Sequence, residues 1–140
     1  MTDPFITGFQ YSRPLQGTTI SYGPLENKDL QYYYHPDATK GFSKRLDLYS
    51  LGIVLCEIGS WGLVMDWIPE DKKFKLQSRE WSRDYMMNSV LEDLGWRMGK
   101  QHQSAVRTLL ACRLPTDDDA DLFAQQFYEK VLKPLDVCTA

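Results

Sequence analysis

The chain is 140 residues long, and a folded chain of that size buries roughly 68 per cent of the surface its unfolded form exposes, so one real core is within reach. Apolar residues make up 43% and charged residues 25%, a globular balance that excludes a disordered or fibrous chain. Sixteen basic against nineteen acidic residues leave a formal charge of -3. That charge has the wrong sign to hold a polyanion by counterion release, and nucleic acid is not an expected partner.

Met1 to Phe9 carry no basic stretch followed by an apolar one, so no secretory signal is read there. From Thr2 to about Pro36 the sequence spreads Pro4, Gly8, Pro14, Gly17, Gly23 and Pro24 among aromatics without a period of 2 or 3.6, which predicts extended or looped chain. Arg45 to Trp61 (RLDLYSLGIVLCEIGSW) is apolar on nearly every side of a helical wheel, the mark of a helix surrounded by protein. It is expected to be the central core helix, with Val54 inside, Asp47 or Ser50 capping its first turn and Gly59 as its stop. Residues 62–78, with Trp67, Pro69 and the run EDKKFK, read as a surface connection.

Arg79 to Leu94 places Trp81, Tyr85, Met86, Val90 and Leu94 at helical spacings, with Gly95 and Gly99 punctuating the end. A third helix, from about Lys100 to Arg113, lines up Ala105, Val106, Leu109 and Leu110, and Pro115 closes it. A fourth opens on the acidic run Asp117 to Asp119. It repeats Phe123, Phe127 and Val131 every four residues, and Lys130 and Lys133 suit the negative end of its dipole. Pro134 marks its expected limit. The longest apolar stretch, Leu48 to Leu63, falls short of the ~20 residues a bilayer needs, so no membrane span is expected. The three cysteines, Cys56, Cys112 and Cys138, are far apart with no zinc-like spacing and read as reduced, mostly buried thiols. A cytoplasmic protein is the default expectation.

Two motifs in fixed order carry a resemblance: HPD at His35 to Asp37, then DLYSLGIVLCEIGSW from Asp47 to Trp61. They resemble, respectively, the APE motif that closes a protein kinase activation segment and the opening of kinase helix F. The chain is most similar to the kinase-like domains of filamentous fungi found with HeLo, or prion-inhibition and propagation, domains. The segments Gly8 to Pro14, Tyr33 to Pro36 and Tyr49 to Trp61 appear in the same order there. The stretches LGWRMGKQHQSAVRTLLACRL and FAQQFYEKVLKPLDVC look like that group's last helices. The resemblance implies a mainly α chain, the helical C-terminal lobe of a protein kinase-like fold, as one partial domain over residues 1–140. Within it, residues 1–37 would be activation-segment-like, 45–61 the central helix and 79–136 the C-terminal helices.

Phosphoryl transfer in that family needs a Gly-rich loop, a strand lysine, an HRD-type loop and a DFG-type aspartate. None is present, so catalytic, cofactor-binding and metal residues are all read as none. ATP is expected only if the missing lobe is supplied. The resemblance implies structural roles for Pro36, Asp37, Asp47 and Arg113. Asp37 would pair with Arg113 in a buried bidentate bridge. Asp47 would brace a catalytic loop or, with that loop missing, simply serve the helix start.

Thr18, Thr19, Ser21 and Tyr22 are candidate phosphorylation sites facing a base such as Lys44 or Arg45, or plain loop hydroxyls. His35 reads as a packing or turn histidine, since no nucleophile accompanies it. Trp61, Trp67, Trp81 and Trp96 are expected mainly as core and shell packing, with a sticky surface as the alternative. The expected function is an inactive pseudokinase-like binding or regulatory module that self-associates or holds a protein partner through apolar surface around Phe9, Tyr11 and Leu48. The alternative is the C-terminal part of an active serine/threonine-type kinase.

Overall fold

The computed structural model describes residues 30–40, 43–73, 78–116 and 118–138. Among them there is no strand, and the mainly α expectation holds. Two 3-10 turns, Leu30–Tyr33 and Pro36–Lys40, lead into α1 (Lys44–Ser60). A short α2 (Val64–Trp67) follows. Next, α3 (Ser78–Tyr85) runs through a π-helical stretch, Met86–Val90, into α4 (Leu91–Leu110). The chain ends with α5 (Ala120–Phe127), a second π-helical stretch, Tyr128–Leu132, and α6 (Lys133–Asp136).

The main packing is α1 against α4, and small residues make it possible. A Cβ on Gly52 would lie 3.0 Å from Leu109 Cβ, and one on Gly59 would lie 2.9 Å from Met98 Cγ and collide with Leu94. The two glycines are seven residues apart on one face, together with the buried Tyr49, Ile53 and Cys56. Gly52 meets the C-terminal part of α4 and Gly59 its N-terminal part, so the helices run antiparallel with their backbones close. Between these points His102, buried, lies with Nε2 3.3 Å from Leu55 O. A carbonyl oxygen only accepts, so the ring donates from Nε2.

Around this pair the core forms two clusters. Tyr32, Tyr49, Ile53, Val64, Met86, Leu91, Leu94 and Leu110 belong to the larger one. Ala105, Leu109, Leu114, Phe123 and Val131 form the smaller. Successive faces of α4 feed both, and Leu55 packs against each.

Several sequence expectations shift. α1 starts at Lys44, with Ser43 at its N-cap making no side-chain cap bond. Asp47 therefore sits in the first turn, where a negative charge suits the dipole, rather than at the cap. Ser50, deeper in the helix, donates instead to Tyr33 O at 2.6 Å. Gly59 does not stop the helix. The stop is Trp61, in the left-handed conformation at φ 53°, ψ 41°.

Residues 62–73 are more than surface connection, because Val64 and Ile68 are buried in the larger cluster. Gly99 does punctuate as expected: at φ 86°, ψ 164° it breaks α4 in a region open essentially to glycine alone. Asp119 caps α5 by accepting from Leu122 N at 2.9 Å. Pro134 does not end the last helix. The π-helical stretch changes the hydrogen-bond register just before it, and the proline is accommodated at the start of α6.

Candidate interaction surface

The HPD segment and α1 are tied together by a small polar network. Tyr33 hydroxyl donates to Glu57 Oε1 at 2.7 Å. The same oxygen accepts from Val64 N at 2.8 Å, so one carboxylate holds the chain before α1 to the chain after it. Burial first, then the bond to Glu57, pushes the Tyr33 hydroxyl up to about 12. His35 is buried and set edge-on to the Tyr49 ring, with centroids 5.1 Å apart. Its Nδ1 accepts from Asp37 N at 3.1 Å and lies 3.9 Å from Asp37 Oδ2. Burial holds the imidazole below its usual value and outweighs the opposing pull of Asp37. Arg83, Arg45 and Arg79 lower it further. His35 is therefore a packing histidine that also closes a turn.

The site residues implied by the resemblance are brought together only in part. Pro36 and Asp37 stand beside Tyr49 of α1 through His35. Asp37 and Arg113 are both exposed, so the buried bidentate bridge does not form. Asp47 is exposed and engaged in an interaction of its own. Thr18, Thr19, Ser21 and Tyr22 lie outside the described residues, as do Phe9 and Tyr11. The cysteines are free, Cys56 buried and the other two half-buried. Burial raises the Cys56 thiol to about 12, with the charge of Glu57 adding to it. An attacking thiolate is thus disfavoured there.

The feature that sequence reasoning missed is the outer face of α1. Leu51, Val54 and Ile58 are exposed, Val54 at 39% and Ile58 at 57%, so the helix is not enclosed on all sides. They follow one another at intervals of three and four residues, and the next step in that series is Trp61. Trp61 is 91% exposed, and Leu63 just beyond it is exposed as well. The opposite face carries Gly52, Cys56 and Gly59 against α4.

Trp61 and Trp96, the latter 90% exposed, thus depart from the core-and-shell expectation, while Trp67 and Trp81 keep to it as half-buried residues. A helix that is apolar all round gives periodicity nothing to point with. The exposed face became visible only once α4 had chosen the glycine face.

Among the described residues no cluster of His, Cys, Asp and Glu is arranged to hold a metal ion, and no helix is long and apolar enough to cross a membrane. No protein-family model matches the chain, and no curated protein or solved structure is similar to it at a significant level.

Proposed function

We propose that this chain is a binding or regulatory module built like the helical C-terminal lobe of a protein kinase-like domain, without phosphoryl-transfer chemistry of its own. The outer stripe of α1, ending in Trp61, is the face it offers to a protein partner or to another copy. The observation that carries this reading is Trp61 itself. A bulky residue held in the left-handed region costs roughly 1–2 kcal/mol of backbone strain. With its side chain almost wholly in water, it recovers nothing by packing within the chain. Strain of that kind is kept where the side chain serves a contact, and tryptophan is the residue type most often found at the energetic centre of interfaces.

The kinase-like part of the reading is supported by the meeting of its two motifs, since the HPD turn packs on Tyr49 and the preceding residue Tyr33 reaches Glu57. A second reading, that the chain is the C-terminal part of a serine/threonine-type kinase, draws support from the same bare stripe, which a further lobe would cover. Translating the coding sequence upstream of Met1 separates the two. A Gly-rich loop, strand lysine and HRD-type loop in frame would favour the second reading.

The module reading is tested by size-exclusion chromatography with light scattering over a concentration series, together with hydrophobic-dye binding. Self-association or dye uptake that falls in an Ile58→Asp variant is the expected result. A dye-negative monomer at every concentration would remove the motive for an interaction surface.

A further inference from the structure

At the junction of the two 3-10 turns, arginines arrive from two directions. Arg45 comes from the first turn of α1, and Arg79 and Arg83 stand one helical turn apart on α3. Both helices pack against the Leu30–Tyr33 turn, and all three guanidiniums act on His35, which follows it. Arg45 and Arg83 act also on Cys112, whose Sγ lies 3.9 Å from Arg45 O.

The charges are incompletely matched. Arg83 forks onto Asp84 Oδ1 through Nε and Nη2, at 3.4 and 3.2 Å. Asp37 is turned toward His35 and is itself engaged elsewhere. Arg45 Nε and Arg79 Nη1 are buried with no hydrogen-bond partner. A guanidinium cannot shed its proton to escape burial, and its N–H groups suit the oxygens of a carboxylate or phosphate. A desolvated N–H of a charged group left without an acceptor is among the costlier defects a fold can hold.

We propose that Arg45 and Arg79, with Arg83 behind them, form a binding site for a phosphoryl-type tetrahedral oxyanion, seated at the entrance between α1, α3 and the HPD turn. A dianion carries enough oxygens to accept from both unpartnered N–H groups, and its charge offsets the excess of three arginines over Asp37 and Asp84. All three arginines are only half-buried, which leaves the site reachable by a small anion. The donor set reads the phosphoryl oxygens alone and serves free phosphate and a phosphorylated side chain alike.

The test uses the full chain and follows thermal unfolding in sodium phosphate against sodium chloride of equal ionic strength, with 31P line broadening of inorganic phosphate as a direct readout. The expected result is a saturable rise in melting temperature, about 4 °C at ten times the dissociation constant. Arg45→Gln and Arg79→Gln each weaken it at least tenfold, and Lys130→Gln on the far helix leaves it unchanged. If Arg45→Gln does not fold, Arg79→Gln on the other helix reads the same contact, as does the 31P signal of the unsubstituted chain. Titration of phosphothreonine beside inorganic phosphate separates the sources. Tighter binding of the amino acid assigns the site to a phosphorylated side chain, and tighter binding of phosphate to the free ion. A rise that does not saturate, or that persists in both arginine variants, is a general salt effect and overturns the site.

Discussion

At the scale of single residues, Glu57 and His35 govern how the HPD segment is held. One oxygen of Glu57 accepts from both Tyr33 hydroxyl and Val64 N. Tyr33→Phe removes one donor and leaves the other bond in place, at a cost of about 1 kcal/mol. Glu57→Ala strands the Val64 amide as well and costs roughly 1–3 kcal/mol more. Urea unfolding of the two variants would read this order, and equal losses would contradict the shared-acceptor geometry.

His35 adds a pH dependence. Its value is lowered in the fold, so between the folded and the unfolded value, the latter about 6.5, the unfolded chain binds more protons. Its contribution to stability is present above about 6.5 and is lost as pH falls below that. The melting temperature should drop between pH 7.5 and 5.5, and His35→Gln should flatten the slope. A wild-type profile as flat as the variant's would contradict a buried neutral ring.

At the scale of elements, the sequence was most legible where a residue's backbone demand coincided with the pattern. Gly99 reads as punctuation and is indeed the break in α4, and Asp119 reads as a helix start and caps α5. Because nothing would meet a Cβ at Gly99, Gly99→Ala isolates the backbone term. It is expected to cost about 1–3 kcal/mol in chemical denaturation. An unchanged midpoint would mean that the break relaxes freely.

Legibility failed where tertiary context overrides local signals. Pro134 looks like a stop, but a change of register before it lets α6 continue. The charged run after Pro69 conceals the buried anchors Val64 and Ile68. Trp61 carries no cue for the left-handed region, where glycine is the usual occupant.

At the scale of the whole molecule, α1 has two unlike faces. The glycine face sets the close approach to α4, and the outer face keeps Leu51, Val54 and Ile58 in water. The sequence supports a helix here but cannot say which side is bare, because apolar residues occupy both. That choice reverses the consequence of one substitution: if α1 were enclosed, Val54→Asp would unfold the chain. With Val54 exposed, the variant should keep its helical circular dichroism and melt within about 0.5 kcal/mol of the original, as surface changes do. Loss of the helical signal would place this face inside.

The central claim is that the outer stripe of α1, ending in Trp61, is retained for contact at a cost to the chain's own stability. The most direct measurement pairs stability with association in Trp61→Gly. Glycine takes the left-handed conformation without strain, and almost no packing is lost with the indole. The account predicts that this variant unfolds at the same or higher denaturant concentration, by about 1 kcal/mol, while self-association or partner capture in light scattering weakens. A variant that is clearly destabilised, or that associates as the unsubstituted chain does, would contradict it.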